Sequence, residues 1–104
     1  MPNEEAIARV REMENLLNEC RRETDAFAAA LFRYAGLREQ RERLFRYYGS
    51  GKWHADREAD EAGELPAGLP RGVLTEDAVY DLIADSRDAA VRMMELSAEI
   101  LKGL

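Results

Sequence analysis

Three side chains near the middle of the sequence have the types and spacing of metal ligands: His54, Asp56 and Asp60. Residues four apart share one face of a helix, so the two carboxylates would point the same way with the imidazole close by. Oxygen ligands of this kind suit a hard divalent cation. Because charge clusters more often form solvated faces or pair with arginines, we favour an assignment with no metal site, and the metal site is the alternative.

Two other catalytic or nucleotide-binding patterns are incomplete in the same stretch. Gly49-Ser50-Gly51-Lys52 lacks the remaining glycine and the final Ser or Thr of a phosphate-binding loop. Ser50 lies near His54, but no nucleophile-elbow pattern surrounds the serine. The sequence therefore favours a protein without catalytic residues and without a cofactor.

Aromatic and charged side chains of the kind found at interface centres are concentrated in this middle stretch. We predict that the partner-binding residues are Tyr47, Tyr48, Trp53, Asp56, Asp60, Glu61 and Arg71. A competing interpretation is that the aromatic residues form a small core that pins the loop onto the helices. Both interpretations remain open from the sequence.

Charge and hydropathy exclude several classes of function. Nine arginines balance nine acidic residues in 1–50, whereas 51–104 has six basic and twelve acidic residues. Such acidity disfavours nucleic acid, which draws its affinity from phosphate neutralisation by Lys and Arg. No apolar run reaches the roughly 20 residues of a membrane span, and no signal-peptide pattern is present. With its single cysteine, Cys20, the protein is expected to be cytoplasmic.

The first part of the chain has the pattern of a long helix. Asn3 is a good N-cap, and apolar or small residues recur in steps of three and four at positions 10, 13, 17, 20, 24, 27, 31 and 34. The repeat slips near Gly36, which marks a break or bend. A straight helix over 4–48 would span roughly 67 Å. We expect this long helix with a second chain covering its seam, which makes a homodimer; a helix that breaks at Gly36 and folds back is the alternative.

The rest of the chain completes an all-α fold. Glycines at 49 and 51 end the first helix, a short helix and an ordered loop occupy about 49–74, and Thr75 is predicted to cap a helix over about 75–102. We predict a single helical domain over 1–104, in which the long N-terminal helix packs on the C-terminal helix. No strand pattern is present.

The middle residues also carry a resemblance. Tyr47-Tyr48-Gly49-Ser50, Trp53, Asp56, Asp60-Glu61-Ala62-Gly63, Leu65-Pro66 and the run from Arg71 to Asp77 resemble the signature of a small bacterial family known only as a domain of unknown function. Thr75 stands where serine is expected, which keeps the helix cap. The resemblance implies a stand-alone helical protein of bacterial origin and implies no activity, cofactor or catalytic residue.

From these observations we predict a cytoplasmic adaptor or regulator that binds an unidentified protein partner. Two alternatives stay open. One is a divalent-metal-binding protein or metal-dependent enzyme built on His54, Asp56 and Asp60. The other is an acidic protein that mimics nucleic acid and inhibits a basic target, since the negative charge lies in the second half of the chain.

Overall fold

A computed structural model describes all residues, 1–104, and confirms the all-α prediction. In chain order the elements are α1 (Glu4–Ala35), α2 (Arg38–Tyr48), α3 (Gly51–Glu61), a single 3₁₀ turn (Gly72–Leu74) and α4 (Ala78–Lys102). The chain forms two compact units, Met1–Glu39 and Gln40–Leu104. No helix combines the length and the apolar character needed to cross a membrane.

Local signals start and stop α1. The Asn3 side chain accepts a hydrogen bond from the Ala6 N–H at 3.0 Å, and Glu4 and Glu5 lie in the first turn, where they complement the positive end of the helix. At the other end, the N–H of Gly36 bonds to the carbonyl of Phe32. Helical structure resumes at Arg38, so the helix predicted over 4–48 is two helices, α1 and α2. The interruption lies near Gly36, where the sequence indicated a break or bend.

The apolar seam of α1 lies on its surface. No residue of this 32-residue helix is buried. Val10 is 65% exposed and Phe27 is 54% exposed, and every seam residue from Val10 to Tyr34 is exposed. We call the seam positions 10, 13, 17, 20, 24, 27, 31 and 34 the α1 stripe.

The second unit is organised around a short turn between α2 and α3 and a longer connection after α3. The Ser50 hydroxyl donates to the carbonyl of Tyr47 at 2.7 Å, which fixes the tight turn. α3 ends in a Schellman motif: the Glu64 N–H bonds to the carbonyl of Ala59, and Gly63 has the left-handed φ of 76° that the motif requires. This ending directs the chain into the loop that returns across α3.

The N-cap of the last helix lies two residues after the predicted Thr75. The helix begins at Ala78, and its N-cap position is Asp77. Thr75 has an extended backbone, and its hydroxyl donates to the carbonyl of Gly72 at 2.7 Å, so it closes the 3₁₀ turn instead of capping the helix. Three apolar side chains are buried in this unit, Trp53, Leu74 and Val79, which come from α3, the 3₁₀ turn and α4.

Candidate functional site

Trp53 is the centre of the predicted site and is 5% exposed. Its indole N–H donates to the carbonyl of Val73 at 2.9 Å, which fastens α3 to the 3₁₀ turn. The ring of Tyr48 meets the indole edge to face, with centroids 5.1 Å apart and the planes at 73°. The Arg57 guanidinium lies 5.5 Å from the indole centroid, within the range of a cation–π contact. Trp53 therefore links elements of the second unit, and in this structure its ring is buried.

Tyr47 and Asp56 form a second link, between the end of α2 and the middle of α3. The Tyr47 hydroxyl donates to Oδ2 of Asp56 at 2.6 Å, the short distance typical of a bond to an ionised acceptor. This bond, with smaller contributions from burial and from the Asp56 charge, raises the pKa of Tyr47 to about 12. The Asp56 side chain is exposed, so the pair presents negative charge at the surface.

Arg71 forms the third link, across the loop after α3. Its guanidinium donates to the Asp60 carboxylate and to the carbonyl of Pro66, and its Nε donates to the carbonyl of Leu69 at 3.2 Å. A planar guanidinium can serve three acceptors in this way because its N–H groups point in fixed directions. Arg71 thus clamps the loop onto α3.

These three links border a shallow surface cavity of about 300 Å³. Leu65, Leu69, Val73 and Leu74 give it apolar walls, and Tyr47, Asp56 and Arg71 are the polar groups beside them. Its volume is at the lower limit for ligand pockets, which run from about 300 to 1,000 Å³. A cavity of this size and composition can hold one side chain of a partner.

The metal arrangement does not form. The Asp56 carboxylate accepts from Tyr47, the Asp60 carboxylate is paired with Arg71, and the His54 ring lies edge to face with Trp53 at 5.1 Å. The chain contains no group of three His, Cys, Asp or Glu side chains that could hold a metal ion. The two acids that suggested a metal site are instead hydrogen-bond acceptors of the loop framework.

The structure brings six of the seven predicted partner-binding residues into the three links and leaves Glu61 at the edge. Glu61 is exposed and lies 3.6 Å from the Arg57 guanidinium, one turn earlier on α3. The sequence did not indicate the Val73 carbonyl, because a backbone acceptor leaves no mark in the residue type. It also missed Arg57, although the spacing of four from Trp53 is a usable signal for two neighbours on a helix.

Family membership follows from a family-model match that covers the α1 stripe and the residues around Trp53. A family model described as a domain of unknown function (DUF4298) matches residues 10–96. The chain belongs to this family. The DUF4298 match includes the α1 stripe and most of α4. It also includes Trp53 with its contacts Tyr48, Arg57 and Val73, which we call the Trp53 cluster. The match confirms the family predicted from the sequence. No curated protein and no solved structure matches the chain.

Proposed function

We propose that the protein is a non-catalytic interaction protein, an adaptor or regulator, that self-associates through the α1 stripe and binds a protein partner near the Trp53 cluster. The observation that carries the proposal is that α1 has 32 residues, an apolar seam and no buried side chain. In proteins, most helical stability comes from packing an amphipathic face and not from intrinsic propensity. A helix of this kind requires another surface over its seam.

The size of the α1 stripe supports the same function. From Val10 to Tyr34 it runs for roughly 36 Å at 1.5 Å per residue, and a width of about 10 Å gives an area of roughly 360 Å². Contiguous apolar patches of about 300–600 Å² on soluble proteins are often functional. The stripe is thus large enough to serve as a binding surface.

The surface beside the Trp53 cluster supports partner binding in a different way. The cavity near Tyr47 and Asp56 has apolar walls and a carboxylate at its edge, and Glu61 adds a second exposed carboxylate on α3. A side chain with an apolar stem and a cationic end, such as Lys or Arg, matches this chemistry. In the proposal Trp53 and Arg71 hold this surface in shape, and Asp56 and Glu61 contact the partner in the cytoplasm.

The first test concerns the α1 stripe. Tagged wild-type protein is compared with Leu17→Glu/Leu31→Glu, which places two charges in the stripe, and with Asn15→Glu/Ala29→Glu, which places the same charges on the opposite face of α1. All three are used to capture proteins from a bacterial lysate that contains an untagged copy of the chain. We predict that the wild type and the outward control retain the untagged copy of the chain and that the stripe variant loses it. If all three variants retain the untagged copy equally, self-association through the α1 stripe is excluded.

The second test concerns the acidic surface. Asp56→Asn/Glu61→Gln removes two charges but leaves an oxygen to accept from Tyr47 and leaves the Asp60–Arg71 pair intact. The matched control is Asp85→Asn/Asp88→Asn on exposed positions of α4. With both variants equally helical by circular dichroism, only the first loses a captured partner, and added salt weakens that capture in the wild type. If both variants capture the same proteins equally well, Asp56 and Glu61 do not contact the partner.

A further inference from the structure

We propose that the surface covering the α1 stripe is a second copy of this chain, paired with the first in parallel and in register as a two-stranded coiled coil. The inference rests on the proposed self-association and adds its geometry. It follows from three properties of α1: the length of its repeat, the charges beside the stripe and the residue types within it.

The repeat is long enough for a coiled coil and lies within one helix. Positions 10, 17, 24 and 31 are a positions of a heptad, and positions 13, 20, 27 and 34 are d positions. They cover about 3.5 heptads, which reaches the length that indicates a coiled coil. α1 is continuous over all eight positions and ends at Ala35, one residue after the last of them. The helix therefore spans the repeat and stops with it.

The charges that flank the stripe are compatible with a parallel copy. In a parallel pair each g residue faces the next e residue of the other helix. Arg9 at g then faces Glu14 of the second copy at e, and the symmetric contact is made on the other side. The next two pairs set Leu16 against Arg21 and Glu23 against Ala28, so no like charges oppose each other. The one pair of charged residues across the interface has opposite signs.

The residue types within the stripe are compatible with two parallel strands. Ile or Val at a positions with Leu at d positions favours parallel dimers. Here Val10 fits that rule at an a position, Thr24 is also β-branched, and the d positions are Met, Cys, Phe and Tyr. The f positions, which point away from a partner, include the polar residues Asn15 and Arg22. The distribution of types around α1 thus matches a helix that is covered along one seam and solvated on the opposite face.

Cysteines placed at a, d and f positions distinguish a parallel pair from an antiparallel pair. With helix axes roughly 8–10 Å apart and Cα atoms about 2.3 Å from each axis, facing a or d residues of a parallel pair have Cα atoms within roughly 6 Å, inside the range for disulfides. Facing f residues are roughly 14 Å apart by the same geometry, which is too far. In an antiparallel pair that covers the same seam, residues 10–34 of the two chains run in opposite directions. Met13 would then lie roughly 27 Å from its own copy, and Leu31 would face it instead.

The experiment uses full-length chains in a Cys20→Ser background, oxidised with copper–phenanthroline after sedimentation has measured their association. The first reporter is Met13→Cys. The second reporter is Leu31→Cys, which is also used in case the first weakens pairing. The control is Asn15→Cys. We expect each reporter to form a cross-linked dimer roughly 100-fold faster than the control at about 10 µM protein, because paired thiols have a millimolar effective concentration.

Two results would overturn the inference, and they differ in what they leave standing. Chains that sediment as dimers, show no faster cross-linking of either reporter alone and cross-link when the two reporters are mixed would be antiparallel. Chains that remain monomeric at every concentration would exclude the second copy as occupant. In that case the lysate capture with the stripe variant still decides whether a different protein covers α1.

Discussion

The substitution Trp53→Phe tests the cluster that holds the second unit together. It removes the indole N–H that donates to the Val73 carbonyl at 2.9 Å, and it keeps an aromatic ring against Tyr48. Leaving a buried acceptor without its partner costs about 1–3 kcal/mol. Because this bond is only partly buried, we expect the lower part of that range, about 1–2 kcal/mol.

The loss is measured as a lowered melting temperature. For domains of 60–100 residues a change of 1 kcal/mol shifts Tm by about 4–8 °C, so we expect Trp53→Phe to lower Tm by roughly 4–16 °C in far-UV circular dichroism. Protein concentration is held constant, since association also raises Tm. The control is Tyr80→Phe, which also changes one aromatic residue but at a position that is 63% exposed, and it should stay within about 0.5 kcal/mol of the wild type. If the two variants melt together, the Trp53–Val73 bond does not stabilise the unit and the reasoning is refuted.

Three further changes test the other contacts of the cluster. One of the four tyrosines, Tyr47, should ionise near pH 12 in an absorbance titration, because its hydrogen bond to Asp56 favours the protonated hydroxyl. Asp56→Asn should return the pKa of Tyr47 toward 10. Since the pKa of Tyr47 is higher in the folded than in the unfolded protein, this bond stabilises the fold fully below pH 10, and the stabilisation is lost as the pH rises to about 12. A tyrosine titration that Asp56→Asn leaves unchanged would contradict this. Gly63→Ala should lower the free energy of unfolding by about 1–2 kcal/mol in urea, because its φ is 76°, whereas Gly68→Ala, with open space around it, should be neutral or stabilise by up to about 1 kcal/mol. Arg71→Lys should cost about 1–3 kcal/mol in the same assay, because an ammonium cannot serve three acceptors in the geometry of a guanidinium, and equal stability would rule out the clamp.

Features governed by neighbouring residues were predictable from the sequence. Asn3 caps α1, and the weak helix former Gly36 marks the interruption between α1 and α2. The concentration of special residues in 47–77 also pointed to the part of the chain where the framework contacts lie. In each case the physical cause acts within a few residues, so the residue type carries the information.

The contacts between distant residues were not predictable in this way. Trp53 is hydrogen-bonded to the carbonyl of Val73, 20 residues away, and Arg71 is paired with Asp60, 11 residues away. These pairs therefore depend on the path of the whole loop. The start of α4 was misplaced because the Thr75 hydroxyl can either accept a hydrogen bond as a helix N-cap or donate one to a nearby carbonyl. In the structure it donates to the carbonyl of Gly72 in the 3₁₀ turn. The metal site was suggested by Asp56 and Asp60. Their carboxylates are hydrogen-bonded to Tyr47 and Arg71, and neither Tyr47 nor Arg71 is adjacent to these acids in the sequence.

Sedimentation velocity over a wide range of protein concentration tests most directly whether the α1 stripe is an association surface. We expect the wild type and Asn15→Glu/Ala29→Glu to form a species of twice the chain mass as concentration rises, while Leu17→Glu/Leu31→Glu stays at the mass of one chain. A wild-type protein that remains a single chain at the highest concentration, or a stripe variant that dimerises as readily as the wild type, would contradict self-association through α1.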